Sequence, residues 1–596
     1  MNEMALLCRL IAQSTDQTPI GSQRQIAQVL DISLGKTNRL ILESTKLGYL
    51  EHVQSRYLLT EAGRAYLDQF KVDNAIILAA GFGSRFVPFT YETPKGLLKV
   101  KGTPMVERQI EQLKACGIDE IVIVVGYLKE LFDYLIDKYG VKLIYNPEYA
   151  EKNNFVSLYY ARDYLKRSYI LMADNWIEES IFNTWEIDSW FCCPYFEGET
   201  TEWGVTTDTQ GRITKIQIGG ADTWAIVGPA FFTEKFSQVF IELVQAHYET
   251  PGTDDDYWEH ILKDNLATLP AIYSNKQSAS NVHEFETFEE LRKYDDSYQK
   301  NSDNATIQEI TQTLGITENR IYGIEPLKAG ITNYSFLFYV DGQGYVFRTP
   351  GIGTEKLINR KQEKAAYDAT KSLGITDEIV AFNEEKGTKI SKFYNDVHIV
   401  DAGNVEELAE AARLVKMLHT SNAHIDYPFD IEWMISYYRS LAEELNAIRF
   451  SDFEETSEKM QILLDLRNHL DVQQVLCHGD FANTNVLIFP DGSGKIIDWE
   501  YSGMADPIMD ISMFAIYSIM EREEIERFLR LYVGGEPSRD ELRRLYLYVA
   551  LGGFLWCIWA EYKQAGGQEF GEYPLQMYRY AKDYYRILKE EGYLDV

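Results

Sequence analysis

The chain is short of positive charge. Its 58 Lys and Arg stand against 91 Asp and Glu, a formal net charge of −33 in 596 residues. Nucleic-acid wrappers and peripheral membrane proteins need a broad basic surface, so this balance argues against both. Cysteine is equally sparse: six residues, only Cys192 and Cys193 adjacent, and no C-x-x-C pair. Neither a disulfide framework nor a zinc centre is indicated, and a reducing, cytoplasmic setting fits. Long apolar runs are missing too. The longest uncharged stretch, Leu545 to Ala560, is shorter than the roughly 20 residues of a membrane span, and Met1-Asn-Glu-Met-Ala has no basic n-region before an apolar core. The expectation is a soluble chain of three or four domains that meets anionic substrates in local basic pockets, with no membrane partner and with oligomerisation open.

What is present begins with Leu78-Ala-Ala80-Gly81-Phe-Gly83-Ser-Arg85, after the apolar run Ala75-Ile-Ile-Leu78 and ten residues before Lys95. A buried strand opening into a glycine loop turns several N–H groups towards a ligand, and Arg85 and Lys95 supply the charge a triphosphate needs. A dinucleotide fingerprint fails here, because Phe86 stands where the third glycine belongs. A lone G-x-G also serves as a bare strand-to-helix turn; the nearby cations favour the phosphate reading.

Taken in order, residues 1–70 show helical spacing at Leu6 to Ile11, Ile26 to Leu30 and Leu40 to Leu47. Two strands of a wing are then expected at Gly48-Tyr-Leu and Tyr57 to Gly63. The segment resembles a winged helix-turn-helix with Ser33 capping its reading helix. Seven basic against seven acidic residues leave no basic footprint, so a docking, dimerisation or regulatory role is preferred to DNA binding. Residues 72–298 alternate strand and helix: strands at 75–80, 120–125, 141–145 and 169–173, helices at 104–116 and 129–139. This is a Rossmann-like, parallel-rich sheet whose ligands sit at strand ends, near Gly81 and Gly126. Asp174 ends the last of these strands, where an acid can hold Mg²⁺ against phosphates. A polar linker is expected over 297–305. Residues 307–596 then read as a sheet-rich lobe (about 307–395) and a helical lobe (about 396–596).

In that last block, Cys477-His478-Gly-Asp480-Phe-Ala-Asn-Thr-Asn485 is followed by Ile496-Ile-Asp498-Trp-Glu. An acid near an acceptor hydroxyl, with an amide and a second acid for a metal ion, is the set phosphoryl transfer needs. Upstream, the segment Leu327 to Phe336, with Gly330, offers a phosphate-covering hairpin. Arg348 on the next strand and Glu363 on a helix would form the ion pair that kinases place over ATP. Trp556 and Trp559, three apart on a helix, share a face on which a quaternary ammonium could rest; such a pair is also ordinary core.

These residues of the last block resemble the choline kinase branch of the aminoglycoside phosphotransferase and kinase-like superfamily. The resemblance implies a bilobal fold, ATP and choline as substrates, Asp480 as catalytic base, and Asn485 and Asp498 as metal ligands. The glycine loop with Pro94-Lys95, and the run Asn146 to Leu158 containing Asn154 and Ser157, resemble the sugar-phosphate nucleotidyltransferases, in particular the CTP:phosphocholine cytidylyltransferases. That likeness implies CTP and phosphocholine as substrates, Mg²⁺ on Asp174 with Glu286 as the second acid, and a phosphocholine pocket at Trp203, Tyr257 and Glu259. Glu286 and Glu259 both stand where the family carries Asp. Together the expectations describe a multidomain α/β and α+β enzyme making phosphocholine and then CDP-choline. Ethanolamine, another amino alcohol or a sugar remain alternative substrates, and a DNA-binding regulator with ligand-sensing domains is the reading of a different class.

Overall fold

The structure, a computed structural model, describes residues 2–14, 22–53, 56–300, 302–327, 333–351, 358–565 and 570–594. It divides into two compact units, Met1–Pro326 and Leu327–Val596.

The first unit opens with three capped helices. Asn2 accepts the Ala5 N–H ahead of Glu3–Ala12, Ser22 and Gln25 form a capping box ahead of Gln23–Val29, and Ser33 accepts the Lys36 N–H ahead of Leu34–Lys46. Their apolar faces meet at Leu7, Ile11, Ile26, Leu40 and Ile41, closed by Leu50 of the hairpin Leu50–Val53/Arg56–Leu59. The second wing strand is shorter than expected. It stops at Leu59, because the Thr60 hydroxyl accepts the Gly63 N–H and starts the helix Glu61–Leu67. Gly63 permits that turn: a Cβ there would lie 2.1 Å from the Tyr49 carbonyl oxygen.

This N-terminal segment is seated on the rest of the unit. Cys8 and Leu67 pack with Ile187 and Trp185, the Trp185 indole N–H donates to Asp68 at 3.0 Å, and Arg9 pairs with Glu186 at 2.7 Å. Glu186 also accepts from the Tyr169 hydroxyl and the Asn183 amide.

The central sheet has eight strands. Asn74–Ala79 lies in the middle, parallel to Glu120–Val125 on one side and Ser168–Met172 on the other, and Lys142–Tyr145 extends the parallel part. Beyond Ser168–Met172 the pairing turns antiparallel through Ala230–Phe232 to the long strands Ser189–Thr207 and Ile213–Ile226. Ala75 to Ile77 and Val122 to Val124 are fully buried, as continuous apolar strands covered on both faces must be. The helix expected over 129–139 is a 3-10 turn, Lys129–Phe132, followed by Tyr134–Tyr139. The stretch expected as a linker is structured: Ser297–Lys300 and Ala305–Leu314 are helical. Its polar residues serve as caps and loop acceptors. Asp295 accepts the Ser297 and Lys101 N–H groups, and Asn304 accepts that of Ile307.

In the second unit, Asn333–Val340 and Gln343–Pro350 form a hairpin across Asp341-Gly342, both at positive φ, as a two-residue turn requires. Thr388–Lys392 and Ile379–Asn383 continue this antiparallel sheet. The helix Arg360–Thr370 follows the hairpin, and a helical lobe runs from Val405–His419 to Tyr573–Glu590. Its core helix, Arg539–Ala565, is the one described helix long and apolar enough to cross a membrane, and 94% of its apolar window is buried inside the protein.

Removing Arg9 leaves the Glu186 carboxylate buried without its cation. Arg9→Met is expected to cost about 3 kcal/mol and to speed amide exchange in Glu3–Ala12; unchanged exchange there would show that apolar contact alone seats the segment.

Candidate active sites

In the first unit the strand Asn74–Ala79 runs out into the glycine loop at the carboxyl edge of the sheet. Gly83 adopts the left-handed conformation (φ +67), and a Cβ there would meet the Lys95 side chain at 3.0 Å. The close approach delivers Lys95 to Asp174: the ammonium donates to Oδ2 at 2.7 Å and rests 4.6 Å above the Phe86 ring. The residue that breaks the dinucleotide fingerprint is thus the floor of the lysine site. Asp174 Oδ1 is buried and has no hydrogen-bond partner, a lone oxygen suited to a cation. These groups line a cavity of about 630 Å³ together with Leu78, Ala80, Gly81, Arg85, Asn154, Ser157, Trp203, Tyr257, Glu259 and Glu286.

Two expectations shift. Gly126 is absent from that lining: a Cβ there would lie 2.7 Å from both the Ala80 carbonyl oxygen and Tyr149, so its role is to let the loop pack. Glu286 pairs with Arg85 at the exposed rim. The acid nearer Asp174 is Glu284, opposite Asn175 in the two-stranded pairing of Val282–Glu284 with Asn175–Ile177. The alternation Glu284-Phe-Glu286 placed both acids on one side and could have suggested either. Sequence reading also missed Glu202, which lines the cavity beside Trp203.

The aromatic end of the cavity is acidic. Trp203 packs edge-on against His260 at 4.7 Å. Glu259 is pushed up to about 8 by burial and then by the like charge of Glu202, and its Oε2 has no hydrogen-bond partner. Glu284 is raised by burial and by nearby Asp174. Cations entering here would offset a surplus of negative charge.

In the second unit the strand Val475–Cys477 leads into the loop bearing Asp480. Gly479 is at φ +81, where a Cβ would strike the Tyr501 carbonyl oxygen at 2.2 Å. Asp510, unforeseen in the sequence, holds this turn: its two oxygens accept the His478 N–H at 2.7 Å and the Gly479 N–H at 2.9 Å. His419 Nε2 lies 3.0 Å from the same carboxylate. His478 shapes the loop through Nε2, 3.0 Å from the Ile497 carbonyl oxygen. Asn485 donates to the Asp480 carboxylate at 3.0 Å.

Arg348 donates to Glu363 at 2.8 Å and to Asp498 at 3.2 Å. Burial alone would raise Glu363, but Arg348 and Arg360 hold it below the usual carboxylate range. Arg360 joins the pair from the same helix and reaches Glu500 at 3.2 Å. Glu363, fully buried, therefore acts through Arg348. Gly330 lies outside the described residues.

Arg348, Asp480, Asn485, Asp498, Trp556 and Trp559 line one cavity of about 820 Å³. The two indoles stand 5.7 Å apart at 84°; Tyr501 and Tyr517 flank Trp556 at 5.9 and 5.6 Å, and Phe570 and Tyr573 complete the wall. Asp480 is pushed up to about 8, first by burial, against the opposing Tyr517 hydroxyl. Tyr573 reaches the cavity because its helix packs closely on Arg539–Ala565 at Gly553, where a Cβ would lie 2.6 Å from the Met577 carbonyl oxygen.

A cation loop at the carboxyl edge of a parallel-rich sheet defines the first unit as a nucleotidyltransferase, and a small sheet lobe carrying Arg348–Glu363 above an Asp480/Asn485/Asp498 loop defines the second as a kinase-like phosphotransferase. Residues 75–174 match the MobA-like NTP transferase domain and residues 323–545 the Phosphotransferase enzyme family. A choline-phosphate cytidylyltransferase of Streptococcus pneumoniae is 36% identical over 222 residues, 37% of this chain and 96% of that protein. A 2-aminoethylphosphonate cytidylyltransferase of Lancefieldella rimae is 37% identical over 229 residues, 38% of this chain and 93% of that protein. The solved choline kinase LicA of Streptococcus pneumoniae is 28% identical, with a TM-score of 0.42, covering 47% of this chain and 98% of that one. The chain belongs to the cytidylyltransferase family of these two curated relatives, in a form that joins the cytidylyltransferase domain to a domain of the Phosphotransferase enzyme family.

Truncating Arg348 would leave Glu363 with Arg360 alone and Asp498 without this cation. Arg348→Met is expected to destabilise Gln343–Pro350 and Arg360–Thr370 by about 3 kcal/mol, read from hydrogen exchange at their amides; a loss under about 1 kcal/mol would mean that Arg360 alone suffices.

Proposed function

We propose that the chain makes CDP-choline in two steps: choline and ATP give phosphocholine at Asp480, and phosphocholine and CTP give CDP-choline at the glycine loop. The observation that carries the reading is that each cavity joins phosphate chemistry to an aromatic, acidic end. Lys95 and Asp174 share one cavity with Trp203, Tyr257 and Glu259; Asp480 and Asp498 share the other with Trp556 and Trp559. Phosphates favour the first kind of wall, and a quaternary ammonium favours the second.

In the kinase step Asp480 accepts the choline hydroxyl proton while that oxygen attacks the γ-phosphorus of ATP and ADP leaves. Arg348, held by Glu363, faces the nucleotide phosphates. The indole faces position the trimethylammonium, fixing the distance between cation and hydroxyl. In the second step a phosphocholine oxygen attacks the α-phosphorus of CTP in line and pyrophosphate departs, with Lys95 and Arg85 neutralising charge as it grows on the phosphates. Mg²⁺ is proposed at Asp174, with Glu284 or Glu286 beside it, and at Asn485 and Asp498; when bound it would supply further charge neutralisation. The partnerless Oδ1 of Asp174 supports that placement. Residues 1–70 are proposed as a docking or regulatory module, because Lys36 of the candidate reading helix already pairs with Glu3.

A primary amine, as in ethanolamine phosphate or 2-aminoethylphosphonate, is the second reading. The 37% identity to the Lancefieldella rimae protein and the partnerless oxygen of Glu259, an acceptor for N–H donors, favour it. Aromatic substitution separates the two: Trp203→Ala and Trp556→Ala should impair choline substrates more than ethanolamine ones.

A one-pot assay with choline, ATP, CTP and Mg²⁺ tests the scheme. Asp480→Ala is expected to lose at least 1,000-fold in phosphocholine formation, on the order of the loss when a catalytic group is removed, yet to make CDP-choline from added phosphocholine. Asp174→Ala is expected to stop at phosphocholine. Failure of Asp480→Ala to make CDP-choline from added phosphocholine, or of Asp174→Ala to make phosphocholine, overturns the two-site assignment.

Glu259 supplies a pH test. Raised to about 8 by burial, it is mostly protonated at pH 7, and a cation beside it favours the ionised form. Phosphocholine binding should release a fraction of a proton near pH 7, and progressively less above pH 8. Calorimetry in buffers of different ionisation enthalpy reads this, and Glu259→Gln should abolish it.

A further inference from the structure

Behind the nucleotidyltransferase cavity lies a second one, of about 440 Å³. Glu202, Val227 and Glu284 line both. Rings form much of its remaining wall. His283 and Phe285 sit on the same face of their segment and pack on Tyr294 at 4.6 and 5.2 Å, and Phe196 joins them from the long strand Ser189–Thr207. Its carboxylates are Glu202, Glu284 and Glu290, and Lys293 is the one Lys or Arg among its lining residues. The two shared acids are half-buried, and among the described residues neither carboxylate accepts a hydrogen bond or joins an ion pair. Apart from Glu284, which also stands beside Asp174, these groups have no role at the nucleotide loop.

We propose that this second cavity is a binding site for a small alkylammonium ion, separate from the acceptor's own ammonium position at Trp203 and Tyr257. Three carboxylates against one lysine disfavour an anion. A bare divalent ion gains nothing from ring faces, whereas an alkylammonium gains from both: its charge is balanced by Glu202 and Glu284 while its methyl or methylene groups displace water from Phe196 and Tyr294. Because those two acids also face the catalytic cavity, an occupant changes the charge presented to the phosphates there. The free amino alcohol that the phosphotransferase unit is proposed to consume has this chemistry.

The test is hydrogen exchange on the full chain kept saturated with CDP-choline, titrated with choline chloride against sodium chloride at equal ionic strength. Saturable, choline-specific protection is expected in Val282–Glu284 and Phe288–Tyr294. The apparent Kd should weaken at least tenfold in Phe196→Leu and in Glu290→Gln, whose amide can still accept the Glu286 N–H. Protection that is non-saturable, equal with sodium, unchanged in both variants, or produced by Mg²⁺ and not by choline overturns the proposal. The inference leans on the proposed function only for keeping the Trp203 pocket filled. Failure of CDP-choline to protect the amides of Leu78–Arg85 would count against that reading, and the choline titration would then be judged without it.

Discussion

In both units a basic side chain is held against a carboxylate just beyond the end of a strand. Lys95 lies 2.7 Å from Asp174, and Arg348 lies 3.2 Å from Asp498 while bound to Glu363. Taking such charges partly out of water is costly unless they are paired, so each pairing offsets the cost of placing a functional group in a cleft. The glycines follow from it. Gly83 gives Lys95 room to reach Asp174, and Gly479 lets the turn before Asp480 lie against Tyr501. The substrate exchanges one set of opposite charges for another, and does not bring charge to a neutral wall.

Much of this was legible in the sequence because the informative residues are local. The loop Leu78 to Lys95, the Asp480/Asn485/Asp498 spacing, the Arg348–Glu363 pair and the Trp556/Trp559 face each lie within one or two elements, so spacing together with family resemblance points to them. What escaped depends on distant segments. Asp510 clamps the turn before Asp480 from a helix about thirty residues further on, and nothing in Asp506-Pro-Ile-Met-Asp510 marks it as a backbone acceptor. Glu202 reaches its cavity from a strand whose register only the fold sets. Choosing between Glu284 and Glu286 required knowing which residue faces Asn175.

Turn chemistry explains the remaining differences. Thr60 extends a strand pattern by sequence, yet its hydroxyl caps a helix. The Asp- and Asn-rich segment near residue 300 has a linker's composition, yet Asp295 and Asn304 accept backbone N–H groups at the helix starts. Polar side chains that cap and polar side chains that are merely solvated are the same letters. Gly126 shows the same ambiguity for glycine: a position that resembles ligand contact by its place in the chain is required by backbone packing.

Gly553 carries a consequence for how this protein can change. The gap between the helices Arg539–Ala565 and Tyr573–Glu590 is closed to backbone contact there, one turn from Trp556, so the spacing of two helix axes sets the span of the aromatic chamber more than the rings themselves do. The chamber behaves like a calliper whose screw lies outside the jaws. Ligand size preference can therefore drift through residues that never touch a ligand, leaving every wall residue intact, and sequence comparison confined to the pocket would miss the change.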